Sequence, residues 1–191
     1  MTQIDLFNSL PAAPLPGSTY VPIWAGPYEQ TKLLEEIDKR SWPLSDMARR
    51  VQHYGYRYDY KAKRVTKDMS VGPLPGFLKD LAERLRSDGT FEAEPDQIIV
   101  NEYEPGQGIS AHVDCIPCFG KTIATLSMGS ECEMEFEKDG AKRYWTLGIG
   151  SLLALSGEAR YEWSHTIRAR THDHRRPRTR RVSITFRTVI L

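Results

Sequence analysis

The chain has 191 residues, 40% of them apolar, with 26 lysines and arginines against 25 acids and a formal net charge of +1. That is enough apolar material for one domain with a real core, and the balance of charge excludes a wholly basic nucleic-acid coat protein and a disordered acidic tail. No apolar run approaches the roughly 18 residues of a membrane span, the N-terminus lacks a secretory signal, and the three cysteines (Cys115, Cys118, Cys132) argue against a disulfide framework, so a soluble cytoplasmic chain is expected.

Residues 1–27 are rich in Pro, Gly and Ala and are expected to drape over the surface, apart from a short strand near Ser18 to Pro22. From Tyr28 to Arg40, Leu33, Leu34 and Ile37 recur at helical spacing among Glu and Lys, which predicts an amphipathic helix. Tyr54, Tyr56, Tyr58 and Tyr60 alternate, so on a strand they share one face, either stacking a base or packing on the core. Gly76 to Leu85 repeats the helical pattern through Phe77, Leu78, Leu81 and Leu85, with Gly89 where a C-cap would sit. From Gln97 the texture changes to short alternating or β-branched runs: Ile98–Tyr103, Thr122–Met128, Cys132–Phe136, Tyr144–Leu147, Ser151–Leu155, Glu162–Ile167 and Val182–Ile190. Many short strands with Gly, Pro or Asp between them predict a mainly β (α+β) sandwich or barrel flanked by two helices.

Arg168 to Arg181 holds seven arginines and one acid, Asp173. Arg175, Arg176 and Arg178 of this patch read as phosphate contacts, the plain alternative being a solvated loop. Cys115 and Cys118 form a C-x-x-C, but a zinc site expects a second pair and a redox motif expects a strand-to-helix setting, so their role stays open.

His112 and Asp114 are two apart at an expected strand end, so their side chains leave the same face. With His165 on another strand they make two imidazoles and a carboxylate, the facial set that holds non-haem Fe(II) and leaves positions open. Arg181 and Arg187 are six apart and so share a strand face, where guanidinium forks suit a short dicarboxylic acid. Val182, Ile184 and Phe186 alternate with Ser183 and Thr185, which predicts one packed and one polar face.

Taken together, Asn101/Tyr103, His112/Asp114, His165 and Arg181/Arg187, in that order, resemble the AlkB family of Fe(II)- and 2-oxoglutarate-dependent dioxygenases. Further stretches, Val51–Tyr56, Pro105–Ile109, Leu126–Ser130 and Gly157–Tyr161, are similar to the branch acting on transfer-RNA wobble uridines. The resemblance implies a double-stranded β-helix (jelly roll) over 97–191, with 1–96 supplying helices and a nucleotide-recognition lid, the whole being one dioxygenase domain. It implies that His112, Asp114 and His165 hold Fe(II). Arg181, helped by Tyr103 and Ser183, would take the distal carboxylate of 2-oxoglutarate, and Arg187 with Asn101 the carboxylate beside the keto group. O2 would complete the reaction, giving succinate and CO2 while a substrate C–H bond is oxidised. Tyr54 and Tyr56 are expected in the lid, and Arg143 and Arg160 along the substrate approach. Where DNA-repair members carry two further acids after His-x-Asp, this chain has Cys115–Ile116–Pro117–Cys118, so that particular contact to a damaged base is missing.

The leading expectation is oxidation of alkyl groups on nucleobases, as dealkylation of DNA or RNA or as hydroxylation of a transfer-RNA base, on single-stranded nucleic acid. The same iron chemistry on a protein side chain, and a non-catalytic metal- or RNA-binding jelly roll, are the alternatives. No membrane and no obligate protein partner are expected.

Overall fold

The structure is a computed structural model in which residues 15–43 and 48–191 are described; the first part of the stretch expected to drape over the surface, residues 1–14, lies outside them. In chain order the elements are β1 (Ser18–Val21), α1 (Pro27–Asp38), β2 (Arg50–Tyr56), β3 (Ser70–Gly72), α2 (Gly76–Ser87), β4 (Gln97–Tyr103), β5 (Ile109–His112), β6 (Phe119–Met128), β7 (Cys132–Lys138), β8 (Ala141–Leu147), β9 (Leu152–Leu155), α3 (Gly157–Tyr161), β10 (Ser164–Ile167), β11 (His172–Asp173), β12 (Arg176–Pro177) and β13 (Arg181–Val189). A seven-stranded sheet runs β1-β9-β6-β13-β4-β2-β3 and a four-stranded sheet runs β5-β10-β7-β8, with β11-β12 a separate hairpin. The two larger sheets face each other across a cavity lined from both, a jelly-roll core. No helix among the described residues is long and apolar enough to cross a membrane.

Register decides which side chains face where. Across the large sheet Ser183 pairs with Asn101 and with Ser127, and Val51 pairs with Asn101, so odd-numbered residues line up with odd and even with even. Even-numbered side chains (Ile98, Val100, Leu126, Met128, Val182, Ile184, Phe186) pack beneath the helices against Leu33, Ile37, Leu78, Leu81 and Leu85. Val182, Ile184 and Phe186 are fully buried, each contributing about 1.5–3 kcal/mol relative to exposure. The odd-numbered side chains of the same strands turn into the cavity.

The helices form where their apolar spacing predicts. α1 starts with Pro27 at its first position, where the missing N–H costs nothing, and buries Leu33 and Ile37. α2 buries Leu78, Leu81, Ala82 and Leu85 and ends before Gly89, whose φ of +80° is a left-handed conformation that glycine adopts freely. Cation–ring packing adds to the apolar contact, with Arg84 3.9 Å above Trp24 and Arg40 4.5 Å from Phe77.

Candidate active site

The cavity has a volume of about 610 Å³, and all eight residues expected to hold metal and co-substrate line it: Asn101, Tyr103, His112, Asp114, His165, Arg181, Ser183 and Arg187. β5 and β10 bring the two imidazoles together, because His112 and His165 are direct cross-strand partners. Their ring centroids lie 4.4 Å apart. The His112 Nδ1–H donates to the Ser110 carbonyl at 2.8 Å, which fixes the tautomer and leaves Nε2 free to ligate. Burial, and then neighbouring His112, hold His165 down at about 4, so its ring is neutral at pH 7 as a ligand must be.

Asp114 is buried, and burial alone would push its carboxyl up. Arg187, then His165, His112 and Arg160, outweigh that and hold it at about 2. The Arg187 Nη2 donates to Asp114 Oδ1 at 2.7 Å and its Nη1 to Gln97 Oε1 at 3.2 Å. Among the described residues no three imidazole, carboxylate or thiol groups converge on one point: the imidazoles are adjacent while Arg187 engages the carboxylate. Oδ2 is outside that ion pair. Two imidazoles and an ionised carboxylate are a donor set that fits Fe(II).

Further along β13, Arg181 is 3% exposed, a buried cation whose Nη2 donates to Ser127 Oγ at 2.8 Å. Its guanidinium lies 5.3 Å from the Tyr103 ring. Its Nε and Nη1 have no partner, so a buried guanidinium lining the cavity presents two unsatisfied donors, the signature of a site for an anion. Asn101 Oδ1 accepts from Arg49 Nε at 2.9 Å.

The family model described as the 2OG-Fe(II) oxygenase superfamily matches residues 24–187. The chain belongs to that superfamily. Its relatives also put it in the AlkB family, near the wobble-uridine branch. The Macaca fascicularis protein named tRNA (carboxymethyluridine(34)-5-O)-methyltransferase ALKBH8 is 40% identical over 150 residues, 76% of this chain and 22% of that protein. An Arabidopsis thaliana protein named Alkylated DNA repair protein ALKBH8 homolog is 34% identical over 92% of this chain and 59% of its own length. The chain spans about a quarter of the length of the first animal relatives, which are 22%, 26% and 23% covered. The solved structure of OsALKBH1 superposes with a TM-score of 0.63 at 18% identity, covering 91% of this chain and 97% of that one, a likeness of fold. As a 2-oxoglutarate-dependent dioxygenase, the protein uses Fe(II), 2-oxoglutarate and O2.

The expected substrate-side residues of this oxygenase need correction. Tyr54, even-numbered on β2, faces the helices, packs edge-on to Phe77 at 6.4 Å and donates to Gln52 Oε1 at 2.8 Å. Tyr56 packs beside Val65 and Phe119 and does not line the cavity. The assumed alternation fails at Gly55, whose φ of +73° accompanies a register shift between β2 and β3. A Cβ there would fall 1.8 Å from the Asp96 carbonyl oxygen, so only glycine fits. Beyond that bulge Tyr58 and Tyr60, rings 4.9 Å apart, do line the cavity. Arg143 is exposed on β8 with Nη1 on the neighbouring Lys142 carbonyl, and the strand lies at the sheet's outer edge, away from the cavity. Arg160 does not meet a substrate either: it is 2% exposed and bonded to main-chain carbonyls of the loop after β5.

The arginine-rich segment is largely neutralised by carboxylates. Arg168 pairs with Glu135, Arg170 with Glu133 and Asp173, Arg176 with Glu131, and Arg180 with Asp38 and Glu102. Arg178 is buried against Asp173, Nε to Oδ2 at 2.6 Å, and is a structural ion pair rather than a phosphate contact. Arg175 and Arg176 are exposed on the β11–β12 hairpin and do not reach the cavity. The structure supplies a role for the C-x-x-C that the sequence left open. Cys115 and Cys118 are joined in a disulfide, Cα atoms 5.3 Å apart, closing a local turn rather than stapling distant segments. Both sulfurs lie against the Lys63 carbonyl, at 3.2 and 3.4 Å.

Four cavity residues were not among the expected site residues: Arg49, Lys63 and the cross-strand partners Thr125 and Thr185, whose hydroxyls lie 3.2 Å apart. Thr185 was legible in the odd-numbered face of β13, and Arg49 by counting two residues back from Val51. Lys63 carried no signal, since its place depends on the turn of residues 59–64 folding back over the site.

Proposed function

We propose that this dioxygenase oxidises an alkyl or exocyclic C–H group on a nucleobase presented from single-stranded nucleic acid, transfer RNA included. The observation that carries this is one cavity holding the paired histidines, the half-satisfied Arg181 and an aromatic wall of Tyr58 and Tyr60 flanked by Arg49 and Lys63. Rings stack a base out of its strand, and cations beside them suit its phosphates. The names of the ALKBH8 relatives, one for transfer RNA and one for DNA repair, support a nucleic-acid substrate. The reading takes the chain as one domain, with 1–96 giving the lid and helices and 97–191 the catalytic strands.

In this reading His112, Asp114 and His165 hold the iron. Bound there with 2-oxoglutarate and O2, the iron supplies the oxidation of a substrate C–H bond, with succinate and CO2 as co-products. Arg181 offers Nε and Nη1 to the distal carboxylate, while Ser127 and the Tyr103 ring hold its guanidinium in place. Arg187 keeps Asp114 ionised and oriented through Oδ1. The apolar cavity residues Ile99, Ile109, Leu153 and Ile167 exclude water around these charges, which strengthens them.

The test is nucleoside mass spectrometry on bulk transfer RNA and methylated single-stranded DNA, incubated with Fe(II), 2-oxoglutarate and either wild type or His112→Ala. Loss of a methylated base, or gain of one oxygen on a modified uridine, is expected with wild type alone. Succinate formation with neither nucleic-acid pool changed would overturn the substrate and turn the search to protein side chains.

A further inference from the structure

Arg160 is a buried cation that neither the metal set nor the anion site employs. Its side chain is 2% exposed, and among the described residues it makes no ion pair within salt-bridge distance. Its partners are two main-chain oxygens: Nη1 donates to the Asp114 carbonyl at 2.9 Å and Nη2 to the Cys115 carbonyl at 3.3 Å, while Nε has none. Burying a guanidinium without a carboxylate on it is costly, and a fold retains such a group where it does work that an apolar side chain cannot. Here the fork bridges consecutive carbonyls of the loop that carries Asp114.

That loop has few other anchors. Asp114 lies two residues past the end of β5, and its own chain is next tied down at the Cys115–Cys118 turn, where Cys118 N and Phe119 N donate to the Cys115 carbonyl. Arg160 reaches it from α3, a separate element fixed by Ala159 N on the Pro16 carbonyl and Arg160 N on Ser156. The Arg160 ring contact, 5.0 Å to Tyr161, adds to its fixation. A second cation, Arg187, meets the Asp114 side chain from the opposite sheet. The backbone and the carboxylate of one residue are thus held by different arginines.

We propose that Arg160 is a positioning residue for the iron site: it sets the backbone of Asp114 so that the carboxylate meets His112 and His165. This rests on the reading of Asp114 as an iron ligand. A one-ångström misplacement of a ligand loop weakens metal binding without touching the anion site at Arg181, which sits on β13.

The experiment measures Co(II) binding by calorimetry, thermal stability, and the KM values for Fe(II) and for 2-oxoglutarate in Arg160→Gln, Arg160→Lys, Ala159→Gly and His112→Ala. Arg160→Gln is expected to weaken Co(II) binding at least tenfold and raise the KM for Fe(II), with the KM for 2-oxoglutarate within about twofold of wild type. Arg160→Lys, which keeps the charge and reaches one carbonyl, should recover part of the loss. Ala159→Gly, at a fully buried position of the same short helix, should lower Tm and leave Co(II) affinity alone. Folded Arg160 variants with wild-type Co(II) affinity overturn the proposal, as does an equal loss in Ala159→Gly. Failure of both Arg160 variants to fold also overturns it, since Arg160 would then be a folding determinant. Undiminished Co(II) binding by His112→Ala would instead sink the underlying metal assignment.

Discussion

At Arg181 the chain leaves two buried donors without partners, a cost of about 1–3 kcal/mol each unless an anion takes them. Arg181→Met removes both the cost and the site. The metal-free protein should be no less stable, or slightly more so, while the KM for 2-oxoglutarate in succinate formation rises about 10–100-fold, as expected for losing a charge-assisted fork. His53 gives a pH dependence with a definite sign. Burial, then Arg187, Arg57 and Arg49, hold its ring at about 4 instead of 6.5. The folded state therefore favours neutral His53, whose contribution is intact above pH 6.5 and is lost as pH falls from 6.5 through 4, by at most about 3 kcal/mol. His53→Phe keeps the edge-on contact to Tyr60, 5.9 Å between centroids, and removes the titration. Chemical denaturation of chelator-treated protein across that window should show a shallower pH slope in the variant; equal slopes would refute the assignment.

At the scale of the element, the β11–β12 hairpin is held by charge rather than by apolar contact. Arg178→Ala removes the buried partner that holds both Asp173 oxygens, while Arg170 and Glu133 N still donate to that carboxylate, and should cost about 1–3 kcal/mol by denaturant titration. Arg175→Ala on the same hairpin, with no carboxylate partner among the described residues, should change stability by less than about 0.5 kcal/mol. This is where the sequence was least readable. A run of seven arginines looks like a patch when its partners, Glu131, Glu133, Glu135, Glu102 and Asp38, lie 33 to 142 positions away. The strands and both long helices were legible because alternation and helical spacing are local. The faces of β13 were legible for the same reason, and with them Arg181 and Arg187. Tyr54 and Tyr56 were misplaced because one glycine, Gly55, breaks a period-two pattern that otherwise runs on to Tyr60. The short helix α3 and the strand β5 left too few residues for a period to show.

Over the whole molecule the neutralised arginines shift the expected polyanion contact to the segment that follows β2. Residues 57–66 carry Arg57, Lys61, Lys63 and Arg64 against Asp59, with Lys63 on the cavity wall. Arg57→Ala, Lys63→Ala and Arg64→Ala combined should lower the salt slope of single-stranded oligonucleotide binding by about 2, at about 0.7 per phosphate. Fluorescence anisotropy over a salt series reads this directly, and an unchanged slope would move phosphate contact elsewhere. A last consequence follows from β13 having two faces. Because Val182, Ile184 and Phe186 are locked beneath the helices, an inward-facing arginine can move along the strand only by two residues, a jump of about 7 Å. The reach of the anion site is therefore graded in coarse steps. Adaptation to a co-substrate one carbon longer or shorter has to come from the hydroxyls of Ser127, Thr125 and Thr185 or from the ring of Tyr103, never from sliding the arginine.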